Sequence, residues 1–204
     1  MPAAAMTFMP PAETESERIA RGLRERDIEL LGGLVEQYQV RLVRYLIHLL
    51  GRREQVEDLV QEIWLRVLER GWQYDSRLRF EPWLFAIARH LAVDLLRRRD
   101  SRSLATAPGG GGDALLARRP SPGYPSPFEA AARTEDAARL ASCLGALGPL
   151  YREALLLRFQ EEMSLQEIAR VVEAPVSTVS SRIYRGLAAL RAELERNENA
   201  HRRS

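Results

Sequence analysis

Apolar side chains recur along this chain with helical rather than strand spacing. Between residues 176 and 191, Val176, Val179, Ile183, Leu187 and Leu190 gather on one narrow face when wound at about 3.6 residues per turn, which predicts that this face is buried. The opposite side carries Ser181 and Arg185 at its centre, with Ser177 and Tyr184 on one flank and Thr178 and Arg182 on the other. Just upstream, Ser164-Leu165-Gln166-Glu167 has the spacing of a capping box, with Met163 and Ile168 where a hydrophobic staple sits. A helix starting there runs only to about Val172, because Pro175 cannot continue a helix interior but fits the first turn of the next. A short capped helix, a tight turn and a longer helix with a polar outer face predict a helix-turn-helix.

The earlier part of the chain repeats the helical period. Val56, Leu59, Val60, Ile63, Trp64 and Val67 make residues 54 to 70 strongly amphipathic. The other face holds Asp58, Gln61, Glu62 and Glu69 around Leu65, which has the make-up of an apolar docking centre with a polar rim. A further helix follows Pro82 and runs to about Arg99, with Leu84, Ile87, Ala88, Leu91 and Leu95 inward and Trp83, Ala86, His90, Val93 and Arg97 along an outer flank. Between these helices, "GWQYDSRLRFEPW" alternates Trp72, Tyr74, Phe80 and Trp83 with Arg77 and Arg79. Rings interleaved with guanidiniums suit unpaired bases and phosphates, although most rings in a small helical unit are core. Tyr74 is the first expectation for an exposed ring, since its hydroxyl tolerates water.

Two stretches break the pattern. Residues 1 to 22, with Pro2, Pro10, Pro11 and scattered Glu, read as a disordered tail. Residues 100 to 134 include "APGGGGDALLARRPSPGYPSP" and read as a flexible linker between helical units at 23 to 99 and 135 to 204. The predicted fold class is therefore all-α, two small helical domains joined by that linker, the second a helix-turn-helix. No strand-like alternation or internal repeat competes with it.

Composition adds little. Formal net charge over 204 residues is only +2, too small to argue nucleic-acid binding, yet all 30 basic residues counted as Lys or Arg are Arg, the type suited to bidentate phosphate and guanine contacts. Cys143 is alone, which excludes a disulfide and reads as a small buried hydrophobe. No apolar run approaches a membrane span and the N-terminus has no signal-peptide pattern, so a cytoplasmic location is expected. Asp58, Glu62, His90 and Asp94 can be imagined as a metal nuclease site, but carboxylates one helical turn apart are routine on a solvated face. No nucleophile with a partnered base or phosphate-cradling loop appears, so neither catalysis, a cofactor, a metal nor a small-molecule substrate is expected.

Taken in order, "VEDLVQEIWLRVLER", "FEPWLFAIARHLAVDLLRRR", the linker and "LGPLYREALLLRFQEEMSLQEIARVVEAPVSTVSSRIYRGLAALRAEL" resemble a bacterial RNA polymerase sigma factor of the extracytoplasmic-function (ECF) group, over nearly all of residues 23 to 196. The resemblance implies a two-domain initiation factor that binds core RNA polymerase and directs it to promoters, with an anti-sigma factor left open as a further partner. It implies polymerase docking through Asp58, Leu59, Val60, Gln61 and Glu62, joined by Leu65 from the patch. It implies opening and reading of a melted −10 element by Trp72, Tyr74, Arg77, Arg79, Trp83, His90, Arg97 and Arg98. Reading of the duplex −35 element then falls to Ser181, Tyr184 and Arg185 for base edges and to Thr178 and Arg182 for phosphates, with Ser177 as a further −35 contact. The sequence departs from the family where Asn is common, at His90, where the turn often holds Gly, at Glu173 and Ala174, and at Ser180. A helix-turn-helix repressor working without polymerase is the alternative, and it has no use for the acidic docking helix.

Overall fold

The structure is a computed structural model and describes residues 13–50, 55–103, 113, 116 and 135–201; regular structure among the described residues is helical throughout. The N-terminal unit is α1 (Glu15–Glu25), α2 (Ile28–Leu50), α3 (Val56–Arg70), a 3-10 turn (Gly71–Gln73) and α4 (Phe80–Ser103). The C-terminal unit is α5 (Glu135–Ala146), α6 (Pro149–Leu155), a π-helical turn (Leu156–Gln160), α7 (Leu165–Val172) and α8 (Val176–His201).

Two expected boundaries move. The expected tail of residues 1 to 22 ends inside α1, which opens on a capping box: Glu17 N–H donates to Thr14 Oγ1 at 3.2 Å and Thr14 N–H to Glu17 Oε2 at 2.8 Å. Ile19, Ala20 and Leu23 of this helix belong to the core, so its scattered Glu residues mark a capped amphipathic helix. Residues 1 to 12 of the expected tail lie outside the described residues. Helix α4 also runs to Ser103, beyond the expected end at residue 99. Of the linker expected at 100 to 134, Asp113 and Leu116 are helical and packed; the stretches 104–112, 114–115 and 117–134 lie outside the described residues.

Helix α4 is the centre of the molecule. Phe85, Ala92, Val93 and Leu96 are buried together with the predicted Leu84 and Ala88, while Ile87, Leu91 and Leu95 are partly buried. Val93 was expected on the outer flank. It is buried, with α4 packed on α2 and α3 and on α7 of the other unit, so more of the helix meets protein than one amphipathic stripe would bury. One buried cluster accordingly runs across both units, from Leu42 and Phe85 to Met163, Ile168 and Val171.

Glycine permits close approach at two helix crossings. A Cβ at Gly71 would meet Leu23 Cβ at 2.9 Å, where α1 presses on the turn after α3. A Cβ at Gly186 would meet Leu155 Cγ at 3.2 Å, where α8 crosses α6. The end of α5 is closed by a side chain: Arg152 donates to the carbonyls of Leu144, Gly145 and Leu147 at 3.0, 2.9 and 2.6 Å, serving the orphan acceptors of a helix terminus. Burial lowers the pKa of Arg152 to about 10, which leaves it cationic at neutral pH.

Candidate polymerase and nucleic-acid interfaces

The outer face of α3 carries the expected acidic patch. Asp58, Gln61 and Leu65 are exposed, the last at 54 %, and half-buried Glu62 accepts from Arg66 Nε at 2.9 Å one turn on. Leu59 is 8 % exposed and lies in the core with Val60, Ile63 and Val67, so its expected role as a surface contact is corrected to a packing one. An inward position at the same helical phase as Val56 and Ile63 dictates this.

The aromatic segment splits into one free ring and a cluster. Trp72, on the 3-10 turn, is 66 % exposed, whereas Tyr74 is 5 % exposed. The Tyr74 ring meets Phe80 edge-on at 5.5 Å and Trp83 at 5.5 Å, Phe80 meets Tyr38 at 5.4 Å, and the Tyr74 hydroxyl donates to Leu78 O at 2.6 Å. The choice of Tyr74 as the exposed ring is therefore overturned: its hydroxyl is satisfied by a loop carbonyl, which lets the ring be core. This hydrogen bond closes the loop before α4; Arg77 projects from that loop into solvent, and Arg79, partly exposed, reaches Glu162 O of the other unit. Trp83 is half-buried, and His90, Arg97 and Arg98 are exposed along α4, with Arg97 bonded to Asp94 Oδ1 at 3.3 Å.

The helix-turn-helix forms as the capping signals predict. Glu167 N–H donates to Ser164 Oγ at 3.2 Å and Ser164 N–H to Glu167 Oε2 at 2.7 Å, while Met163 and Ile168 are both fully buried. The turn places Glu173 in the left-handed region at φ 52°, ψ 45°, with its N–H bonded to Ala169 O. A side chain in that region costs about 1 kcal/mol relative to glycine. On α8 the buried line is Val179, half-buried Ile183 and Gly186, and the expected inward residues Val176 and Leu187 are exposed. The packed face includes Gly186, where α8 comes close to Leu155 and Tyr151 of α6. Ser177, Ser181, Tyr184 and Arg185 are exposed, Tyr184 at 77 %, and Thr178 is half-buried. Thr178, Ser181, Arg182 and Arg185 also line a shallow depression of about 330 Å³ with Gly148, Pro149, Leu150 and Tyr151.

Arg182 behaves differently. Its side chain is 13 % exposed and Nη2 donates to Asp113 Oδ2 at 2.5 Å. The other oxygen of Asp113 accepts from Arg89 Nη2 at 2.5 Å, Arg89 Nε donates to Glu153 Oε1 at 2.9 Å, and the Tyr45 hydroxyl donates to the same oxygen at 2.8 Å. Burial opposes the charge on Arg89, but Glu153, Tyr45 and Asp113 carry its pKa above the usual value. Burial and Glu153 push the Tyr45 phenol well up, so it acts as a neutral donor. Sequence reasoning missed this network. Its signal was a charge on an apolar stripe, since Arg89 stands four residues after Phe85 and three before Ala92.

No group of three His, Cys, Asp or Glu among the described residues is arranged to hold a metal, and His90 and Asp94 of the imagined nuclease site are engaged by Glu173 and Arg97. The result is two helical units, one with a helix-turn-helix and the other with an acidic outer helix next to an Arg-rich aromatic loop. The Sigma-70 region 2 family model matches residues 34–102, and the Sigma-70, region 4 model matches residues 137–190. The ECF RNA polymerase sigma factor SigX of Bacillus subtilis (strain 168) is 30% identical over 169 residues, which cover 79% of this chain and 82% of SigX. SigW of the same strain is 28% identical over 174 residues, 84% of this chain and 92% of SigW. Among solved structures, CnrH in complex with the cytosolic domain of CnrY aligns at 26% identity and a TM-score of 0.58, covering 87% of this chain and 96% of that one.

The chain belongs to the ECF sigma factor family: it binds core RNA polymerase and directs promoter-specific transcription initiation. The repressor alternative gives no account of the region 2 match. Among the described residues no helix is long and apolar enough to cross a membrane.

Proposed function

We propose that the two units divide initiation between them, residues 15–103 docking on polymerase and handling the −10 element and residues 135–201 reading the −35 element. Docking falls to Asp58, Gln61, Glu62 and Leu65 on α3, where an exposed Leu ringed by polar groups offers an anchor for an apolar contact with a charged rim. Unpaired −10 bases stack on Trp72, with Arg77, Arg79, Arg97 and Arg98 holding backbone phosphates and His90 meeting a base. On α8, Ser177, Ser181, Tyr184 and Arg185 meet base edges in the major groove, and Thr178 and Arg182 meet phosphates. The observation that carries this reading is the exposed Ser181, Tyr184 and Arg185 set on a helix held rigidly behind a fully capped partner.

The chain acts as a binding factor without chemistry of its own, beside the cytoplasmic polymerase. A protein that covers these surfaces, an anti-sigma factor, is the further partner, in line with the complex in which CnrH was solved. The test is a library of randomised −35 elements with two variants. Arg185→Ala removes a bidentate guanine contact, should cost about 1–3 kcal/mol, and relaxes preference at one position. Arg182→Ala weakens all sequences alike and reduces the salt dependence of binding. An unchanged base preference with Arg185→Ala, or a strong shift with Arg182→Ala, overturns the assignment of this face.

A further inference from the structure

Residues of the N-terminal unit assigned above to the −10 element touch the C-terminal unit around its helix-turn-helix. Arg79, from the −10 loop, donates from Nη1 to Glu162 O at 3.3 Å and lies 3.9 Å from the Glu167 carboxylate of the helix-turn-helix. His90 Nε2 is 2.6 Å from Glu173 Oε1, so two of the departures from the family pattern meet across the junction of the units. Arg41 Nε donates to the buried Glu161 at 2.8 Å, and Tyr45 and Arg89 hold the buried Glu153. At the centre, Asp113 of the linker bridges Arg89 of the N-terminal unit and Arg182 of the recognition helix, one carboxylate oxygen to each at 2.5 Å. Three residues on, Leu116 is fully buried in the shared core, so the chain is held here by both a charge and an apolar group.

In this arrangement Arg79, His90 and Arg182, each assigned above to promoter DNA, are engaged by protein oxygens instead. Arg182 in addition offers to Asp113 the nitrogen that a phosphate oxygen would take. A junction rich in buried ion pairs also suits release, because Glu153, Glu161 and Arg89 regain hydration on separation, as apolar surface does not.

We propose that Asp113 is an intramolecular latch: it occupies Arg182 in place of DNA phosphate and, through Arg89, holds the free protein closed until its two units are drawn apart. The proposal rests on the −35 assignment of α8 for its consequence on DNA, but the closure itself does not.

The experiment uses the full chain with spin labels on Glu36→Cys and Ala188→Cys, both exposed and one in each unit. Inter-label distances are measured by pulsed dipolar spectroscopy, and affinity for a −35 duplex is measured without polymerase. Asp113→Asn should shift the distances to longer values and raise affinity at least fivefold. Asp113→Glu should stay closed, and Glu29→Gln, the same charge change at an exposed site, should do neither. A long, broad distance distribution in the unsubstituted chain overturns the latch, as does an unchanged short distance in Asp113→Asn. Longer distances with unchanged affinity uphold the latch and count against the −35 assignment.

Discussion

Two rings only two residues apart, Trp72 and Tyr74, should respond to truncation in opposite ways. Trp72 is 66 % exposed, so Trp72→Ala should alter folding stability by no more than about 0.5 kcal/mol, the usual range for a surface change. If unpaired bases stack on it, the same substitution removes about 1–3 kcal/mol from the open complex, roughly a 5- to 150-fold loss in its population. Tyr74 packs on Phe80 and Trp83, and its hydroxyl serves Leu78 O. Tyr74→Ala should therefore cost about 3–5 kcal/mol of stability, the range for a buried aromatic, and Tyr74→Phe about 1 kcal/mol for the hydrogen bond alone. Denaturant unfolding reports the first quantity, and permanganate reactivity of promoter thymines with polymerase present reports the second. Tyr74→Phe should melt promoters nearly normally, because the loop retains its packed ring. Normal permanganate reactivity with Trp72→Ala, or a destabilisation of several kcal/mol by it, refutes the division of the rings into one reader and one strut.

Charge reversal at Asp58 or Glu62, and Leu65→Arg, should each weaken binding to core polymerase while circular dichroism and unfolding stay unchanged; unaltered affinity in all three removes the docking assignment. Gly186→Ala should lower stability by about 1–3 kcal/mol through overpacking against Leu155 and Tyr151, read from thermal unfolding, and wild-type stability would show that α6 can yield. Acid sensitivity should come partly from His48, whose pKa burial, aided by Arg152 and Arg44, lowers from 6.5 to about 4. The folded state thus binds fewer protons than the unfolded one, so stability is full above pH 6.5 and falls as pH drops toward 4, by about 2 kcal/mol at pH 5. His48→Gln should flatten that part of the pH profile relative to wild type, and parallel profiles would place the acid sensitivity elsewhere.

Local rules carried much of the architecture. The Ser164–Glu167 box, the Met163 and Ile168 pair and Pro175 locate α7, its turn and the start of α8 from sequence alone, because each acts through neighbours three or four residues away. The apolar period of α3 likewise leaves Asp58, Gln61 and Leu65 outside. Thr14 and Glu17 carried the same capping signal for α1, hidden by the prolines before it. Other outcomes needed the tertiary structure. Tyr74 and Trp72 have similar local surroundings in sequence, and the packing of Tyr74 on Phe80 and Trp83, themselves set against α2 through Tyr38, decides which ring is buried. Val93 reads as an outer residue until α7 arrives from the other unit. Asp113 has no periodic context at all, and its role depends on Arg89 and Arg182 being brought from 24 residues before and 69 after it. Helical period and capping are short-range and legible along the chain, whereas burial of a ring or pairing of a charge is set by whichever surface the fold brings to meet it.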